Sequence, residues 1–169
     1  MPPAYALDAA AVAVGRALQA DVGADPWSGG EVQPGGYAPV IVADGGGGRQ
    51  LVPRLWGVPP PPRREHLVPF VRNLDSPFWI GVLRHRQFRC LVPLTRFRRG
   101  SQWWEPAGGA ISACAGLWRD SEIPSFALLT SGEPAGLPVV LAPAAMEVWL
   151  HADIRLARSL VEAGSAAGR

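Results

Sequence analysis

The stretch RHRQFRCLVPLTRFRRG, residues 84–100, places the apolar run Cys90–Leu94 between arginines on both sides. An apolar run of this length predicts a β-strand. Pro93 inside it predicts a strand edge or a bulge, because proline cannot donate a hydrogen bond to a neighbouring strand. The flanking arginines leave three interpretations open: a strand that binds nucleic acid, a strand that carries catalytic residues, or a core strand with solvated ends.

The composition predicts one domain that is rich in arginine. A chain of 169 residues can bury one hydrophobic core, so we expect a single domain over residues 1–164 and a short tail over 165–169. All 16 basic residues are arginine, although the formal net charge is only +2. Arginine makes planar, bidentate contacts with phosphate and stacks on bases, which suits contact with nucleic acid.

The cysteines and histidines give no sign of a metal site. Cys90 and Cys114 both lie in apolar runs, which predicts buried thiols. His66, His85 and His151 have no carboxylate or cysteine at metal-ligand spacing, so we expect no metal and no cofactor. No apolar run approaches the length of a membrane span and no targeting segment is recognisable, so we expect a cytoplasmic protein without a membrane partner.

The first half of the chain predicts a helix followed by a hairpin. Asp8 is positioned to cap a helix through AAAVAVGRALQ, and the residues from Gly23 to Gly36 are expected to form a loop. YAPVIVA and RQLVPRLWG predict two strands joined by a flexible turn at GGGG, residues 45–48. The expected apolar face of the helix consists of Leu7, Val12, Val14 and Leu18.

The second half predicts further strands and closing helices. PPPPRR, residues 59–64, must be an extended surface segment, because successive prolines cannot form a helix or a central strand. Pro77 in DSPFW favours the start of a helix. FRCLVPLTRF, AISACAGLW, SFALLTS and PVVLA are expected strands. PAAMEVWL and DIRLARSLVEAG are expected helices, the latter with Leu156, Leu160 and Val161 on one side. The predicted fold class is α+β.

The aromatic residues allow two interpretations. Trp56, Trp79, Trp103 and Trp104 alternate along the chain with arginines, and aromatic platforms beside a basic groove are what single-stranded nucleic acid requires. Tryptophans in a small domain are more often core residues. The pattern alone leaves both interpretations open.

The order of several segments resembles that of a known family. FVRNLDSPFWIGVLRHRQFRCLVPLTRF is followed by GGAISACAGLW, FALLTSGEP and LPVVLAPAAMEVWL, and preceded by QPGGYAPVIV and RLWGVP. This order resembles the SRAP family, the SOS response-associated peptidases or abasic-site processing proteins, over nearly the whole chain. The scaffold positions that match are Pro34, Gly35, Trp56, Gly57, Arg72, Cys90, Pro93, Phe97, Pro138 and Leu141.

The resemblance implies a fold and an activity. It implies a single SRAP-like α+β domain with a strongly bent mixed β-sheet and helices at both ends of the chain. Members bind single-stranded DNA in a positive cleft. In the family, an N-terminal cysteine condenses with the aldehyde of an abasic site, assisted by an asparagine, a glutamate and a histidine.

The family's four chemical positions are all changed in this sequence. Pro2 stands in the place of the cysteine, Phe70 in the place of the asparagine and Arg99 in the place of the glutamate. Either Glu133 falls opposite the histidine, or the loop that carries it is deleted between Pro134 and Gly136. The resemblance therefore implies that the crosslinking and peptidase chemistry is lost.

The resemblance further implies that DNA binding is retained. The expected DNA-binding residues are Arg72, Trp56, Arg98 and Arg99, and the expected partner is single-stranded or abasic-site DNA. Arg99 either adds positive charge where a phosphate can sit or points to solvent at a shortened hairpin, and the sequence favours neither.

Two other functions stay open. A free Pro2 amine can form a Schiff base with an abasic site, which would give a lyase-like activity with Glu133 as the proton acceptor. PPPPRR can serve as a polyproline ligand, which would make the chain a non-catalytic interaction protein.

Overall fold

The computed structural model describes residues 2–62, 65–132 and 135–167. Within these ranges the chain forms helices and strands of an α+β fold, as the sequence predicts. The strands are β1 (Ala4–Leu7), β2 (Gly30–Val32), β3 (Tyr37–Ala43), β4 (Arg49–Trp56), β5 (Phe70–Val71), β6 (Arg89–Leu94), β7 (Arg96–Arg99), β8 (Gln102–Trp104), β9 (Ser112–Arg119), β10 (Ser125–Gly132) and β11 (Ala135–Pro138). The helices are α1 (Ala11–Leu18), α2 (Pro77–Leu83), α3 (Pro143–His151) and α4 (Ile154–Ala167), with a short 3₁₀ turn at Arg86–Phe88.

Five strands close into a barrel. The hairpin of β3 and β4 is followed around the ring by β6, β9 and β10, and β10 then pairs with β4 in parallel, with Phe126 beside Trp56. β5 and β11 extend this sheet by pairing with β10. The expected strongly bent mixed sheet is therefore confirmed, and its bend is complete enough to return to its first strand.

The chain leaves the barrel at the end of β6 and enters a second sheet. This sheet has the order β2-β1-β7-β8 and is antiparallel throughout. The backbone N–H of Thr95 donates to the carbonyl of Ala6 at 2.8 Å, which fixes β1 beside the transition from β6 to β7. The opening stretch of sequence thus supplies one strand to each sheet and joins them.

Pro93 lies in an interior strand, so the expectation of a sheet edge is corrected. It faces Ala113 of β9, whose carbonyl accepts a hydrogen bond from Leu141 and so points away from β6. Pro93 and Ala113 therefore form a pair that exchanges no backbone hydrogen bonds, so the missing N–H of proline removes no hydrogen bond between β6 and β9. On the other edge β6 pairs with β3 at Leu91, and Thr95, the residue that follows β6, donates to Ala6 of β1, so Pro93 lies where the neighbouring strand changes.

The alternation of side chains along the barrel strands separates two hydrophobic clusters. The cluster inside the barrel includes both buried cysteines, which confirms that prediction. It consists of Ala38, Val40, Trp56, Cys90, Val92, Leu94, Cys114, Phe126 and Leu128, joined by Tyr5, Val32 and Phe97 of the second sheet. The cluster on the outer face packs under all four helices. The barrel wall is therefore apolar on both sides.

Several local expectations need correction. Asp8 does not cap α1, because Ala10 is the N-cap residue and the Asp8 carboxylate binds Arg96 instead. Val12 and Leu156, expected on apolar faces, are both 60% exposed, because α1 buries Ala11, Val14, Gly15 and Leu18 and α4 buries Ala157 and Val161. The segment from Gly23 to Gly36 contains β2 as well as loop, and β11 ends at Pro138 before the expected strand PVVLA is complete.

Two turn predictions are confirmed. The Ser76 side chain accepts a hydrogen bond from the backbone N–H of Phe78, so α2 begins at Pro77 as expected. At the β3–β4 hairpin, the Asp44 carboxylate accepts hydrogen bonds from the backbone N–H groups of Gly46 and Gly48 at 2.9 and 3.0 Å. The GGGG segment is therefore a hairpin turn organised by Asp44.

Candidate nucleic-acid interface

Strand β7 carries two of the expected site residues, Arg98 and Arg99, and places them on opposite faces. Successive side chains of a strand point to opposite faces, so Phe97 and Arg99 share one face while Arg96 and Arg98 share the other. Phe97 is only 2% exposed and faces the barrel cluster, which identifies the inner face. Arg99 is therefore on the side of the strand that faces Phe70, and not on the outer side.

An aromatic cluster fills the inner face. The ring of Phe97 contacts that of Phe70 edge to face, with centroids 6.0 Å apart, and Phe70 contacts Trp56 in the same manner at 5.8 Å. Tyr5 continues the row with its centroid 4.9 Å from that of Trp56. Phe70 is half-buried, so part of its ring remains open to solvent. Phe70 is therefore the partly exposed member of this aromatic row.

Two exposed arginines lie near this cluster. The guanidinium carbon of Arg72 lies 5.5 Å from the centroid of Phe70, in a cation–π arrangement. Arg99 is on the same face of β7 as Phe97, which contacts Phe70, and its Cδ lies 3.9 Å from the position that a Cβ atom would take on Gly136. We call Phe70, Arg72, Phe97, Arg99 and Gly136 the Phe70 site.

Arg98 belongs to the outer face and has a structural role. Its Nη2 donates to the carbonyl oxygen of Pro2 at 2.5 Å, and its guanidinium lies 5.5 Å from the ring of Trp103. Arg96 stacks on the same ring at 4.2 Å. These side chains cover the outer face of the second sheet, so the expected pairing of Arg98 with Arg99 as one binding surface is corrected.

Trp56 does not contact solvent. Its side chain is completely buried, and its Nε1 donates to the carbonyl oxygen of Pro69 at 3.0 Å. A buried indole cannot stack on a nucleobase, so the interpretation of Trp56 as a DNA contact is corrected. Its hydrogen bond instead holds the chain at Pro69, directly before Phe70.

The described residues of the site offer no nucleophile. Burial raises the pKa of the Cys90 and Cys114 thiols well above their usual range, and both lie inside the barrel. Burial likewise raises the pKa of the Tyr5 hydroxyl. Glu133, the expected proton acceptor, lies outside the described residues. Within those residues, no group of three histidine, cysteine, aspartate or glutamate side chains could hold a metal ion.

The polyproline segment lies at a different surface. Pro59–Pro62 form one wall of an open groove of about 640 Å³, opposite Phe78, Val82 and Phe88. The guanidinium of Arg119 stacks on Phe78 at 4.7 Å at the end of this groove. The arginines that complete PPPPRR, residues 63 and 64, lie outside the described residues.

Sequence reasoning missed a polar pocket beside the Phe70 site. Arg72 lines it together with Asn73 and Asp75, and α4 contributes Arg158 and Glu162. Arg158 and Asp75 are 83 positions apart and bind each other through Nη2 and Oδ1 at 2.5 Å. No local pattern connects residues so distant, and only the packing of α4 against β10 in the fold reveals the pocket.

The fold is similar to two solved structures. An X-ray structure of a protein from Bordetella bronchiseptica aligns over 93% of this chain and 92% of its own, with a TM-score of 0.71 and 18% identity. A phage-related protein from the same organism aligns over 97% of this chain and 89% of its own, with a TM-score of 0.73 and 20% identity. No protein-family model and no curated protein matches the chain. At these identities the similarity shows the fold alone.

None of the helices in the described residues is both long enough and apolar enough to cross a bilayer.

Proposed function

We propose that this chain is an SRAP-like protein of the DNA-damage (SOS) response that binds single-stranded or abasic-site DNA without the family's cysteine chemistry. The observation that carries the proposal is the half-buried Phe70 ring, with Arg72 in cation–π contact and with Phe97, the same-face neighbour of the exposed Arg99 on β7, against its edge. An aromatic ring can stack on a base while guanidinium groups hold the neighbouring phosphates.

The substitutions at the family positions favour binding over chemistry. Arg99 stands where the family has a glutamate, which removes a proton-transfer group and adds positive charge. Phe70 stands where the family has an asparagine, which replaces a hydrogen-bonding group by a stacking surface. Both changes increase attraction to an unpaired strand, since phosphate contacts and base stacking supply most of the sequence-independent affinity.

The proposal is tested by titrating a fluorescent single-stranded oligonucleotide at several salt concentrations. We expect binding that weakens as salt rises, because cations are released from the DNA when arginines neutralise phosphates. Arg99→Gln should weaken binding and reduce the slope of log K against log salt by about 0.7, the loss of one phosphate contact on a single strand.

Arg98→Gln is the matched control for this experiment. It removes the same charge from the adjacent residue, but on the outer face of β7 where Arg98 binds Pro2 and Trp103. The control should keep most of the affinity and the salt slope. Equal losses in both variants, or no salt-dependent binding of the unmodified protein, would contradict the proposal.

A second candidate function uses Pro2. Its carbonyl is held by Arg98, which fixes the start of β1 beside β7. A free secondary amine at Pro2 would add to the aldehyde carbon of an abasic sugar and release water, leaving an iminium ion. Borohydride would reduce this ion to a stable adduct that mass spectrometry detects. An acetylated terminus must abolish the adduct, and its absence from the unmodified protein contradicts this function.

A further inference from the structure

A small polar pocket adjoins the Phe70 site. It has a volume of about 290 Å³ and lies between the β5–α2 segment, the end of β10 and helix α4. Its floor is made of branched apolar side chains from these elements, and its rim is polar. Arg72 lies both over the Phe70 ring and on the rim of this pocket, so the two sites share a wall. The volume is at the small end for ligand sites, which suits a single planar ring.

An ion-pair network forms one side of the rim. Arg158 binds Asp75 Oδ1 through Nη2 at 2.5 Å and Glu162 Oε1 through Nε at 3.1 Å. In the described part of the chain, these bonds use one oxygen of each carboxylate and leave the second oxygen available to accept. The Asp75 and Glu162 side chains are 70% and 60% exposed, so a ligand in the pocket can approach them.

Other residues of the rim supply donors. Asn73 accepts a hydrogen bond from the backbone N–H of Asp75 through Oδ1 at 3.0 Å, so its amide NH₂ group remains to donate. Arg72 adds a guanidinium, and the hydroxyl of Thr130 also lines the pocket. The pocket therefore presents carboxylate acceptors together with neutral and cationic donors.

This polarity matches a nucleobase that carries an exocyclic amino group. Cytosine offers an N4 amino group to a carboxylate, with N3 and O2 beside it as acceptors. Thymine has a carbonyl oxygen in place of that amino group, and an oxygen facing a carboxylate is repelled. A base that leaves the stack is commonly read in this manner, by hydrogen bonds to its pairing edge in a fitted pocket.

We propose that this pocket receives one unstacked base of the DNA strand bound at the Phe70 site and prefers cytosine to thymine. The proposal rests on the proposed DNA binding and names a base preference for it. Arg72 connects the two sites, because it contacts Phe70 and also lines the pocket. When a phosphate binds its guanidinium, the next base of the strand lies at the pocket rim.

The experiment compares ten-nucleotide deoxycytidine and deoxythymidine oligomers by fluorescence anisotropy at one salt concentration and slightly alkaline pH. The unmodified protein should bind the cytidine oligomer about fivefold to tenfold more tightly. The double variant Asp75→Asn, Glu162→Gln should reverse this order. Each new amide keeps its oxygen on Arg158 and turns an NH₂ donor toward the pocket, which matches O4 of thymine.

Glu147→Gln is the matched control. It neutralises an exposed carboxylate in a different ion pair, with Arg49, and should leave the ratio of affinities unchanged. Equal binding of the two oligomers, or a ratio that the double variant does not alter, overturns the base pocket. If Arg99-dependent binding persists in that case, the proposed function stands. Absence of binding to either oligomer overturns both.

Discussion

The two ends of the opening stretch use arginine in opposite ways. At its first end Arg89 is only 1% exposed and donates to the carbonyl oxygens of Leu83, Trp149 and Ala152 at 3.1, 3.2 and 2.5 Å. At its other end Arg99 is exposed on the face that holds Phe70. Arg89 ties together the ends of helices α2 and α3, whereas Arg99 is the arginine to which the proposed function assigns DNA binding. Burial and acceptor geometry, and not residue type, distinguish a buried structural arginine from an exposed one.

The largest effect that this comparison predicts is on stability. Arg89→Met fills a similar space but leaves the carbonyl groups of three residues at helix ends without their donor. We expect the free energy of unfolding to fall by about 3 kcal/mol, because hydrogen bonds to a charged group are worth more than neutral ones and buried carbonyls are costly to leave unpaired. Urea denaturation monitored by circular dichroism measures the change.

Arg99→Met is the control at the other end of the stretch. It should change the free energy of unfolding by no more than about 0.5 kcal/mol, as is usual for exposed positions. If the two variants unfold at the same urea concentration, the distinction between the structural role of Arg89 and the exposed position of Arg99 is wrong.

Much of the fold could be predicted because the barrel strands are long apolar runs. The hairpin of β3 and β4 and the strands β6, β9 and β10 all follow from such runs. β1 was missed, since AYAL is only four residues long and is buried on both faces by tertiary contacts. The burial of Arg89 has no signal in the sequence either, because its acceptors belong to helices that dock from distant parts of the chain.

The assignment of the candidate site to DNA stays a prediction, and its geometry could be predicted only in part. The resemblance singled out Phe70, Arg72 and Arg99, and the fold places Arg72 over Phe70 and Arg99 on the face of β7 that carries Phe97. It did not reveal that Arg98 and Arg99 face opposite sides, although the alternation of a strand implies it once β7 is known. Trp56 was wrongly predicted to contact DNA, because the sequence does not show whether a tryptophan is buried. Its burial depends on the residues that pack around it in the fold.

A second prediction sharpens the comparison between the two ends. Phe70→Ala removes a half-buried ring from the Phe70 site, and Phe88→Ala removes a half-buried ring that contacts Trp118 at the first end, with centroids 5.1 Å apart. Each should lower the free energy of unfolding by about 2 kcal/mol, less than a fully buried phenylalanine would cost. Only Phe70→Ala should also weaken the binding of single-stranded DNA, by about tenfold, through the lost stacking surface.

Parallel measurements of denaturation and binding on the same two variants separate these effects. Similar losses of stability with unequal losses of affinity are the expected pattern. If Phe88→Ala weakens DNA binding as much as Phe70→Ala does, the DNA contact is not centred on Phe70, and the barrel surface at the first end takes part in it.

The smallest predicted effect concerns Arg96, whose exposure lies between that of the buried Arg89 and that of the exposed Arg99. Arg96 Nε donates to Asp8 Oδ2 at 2.9 Å, and this hydrogen bond, aided by the Thr95 hydroxyl and opposed by partial burial, lowers the pKa of Asp8 below its usual value. A lowered pKa in the folded state means that ionised Asp8 stabilises the fold above the unfolded pKa of about 3.9. This contribution is lost as the pH falls through the still lower folded pKa.

The Asp8 carboxylate is 44% exposed, so solvent screening limits its contribution to a few tenths of a kcal/mol. Asp8→Asn should therefore be slightly less stable than the unmodified protein at about pH 6 and equally stable at about pH 2. Urea denaturation at both pH values measures the difference. A difference that stays constant between them would mean that Asp8 acts through its shape and not its charge, and that Arg96 stabilises the sheet through its contacts with Glu31 and Trp103 instead.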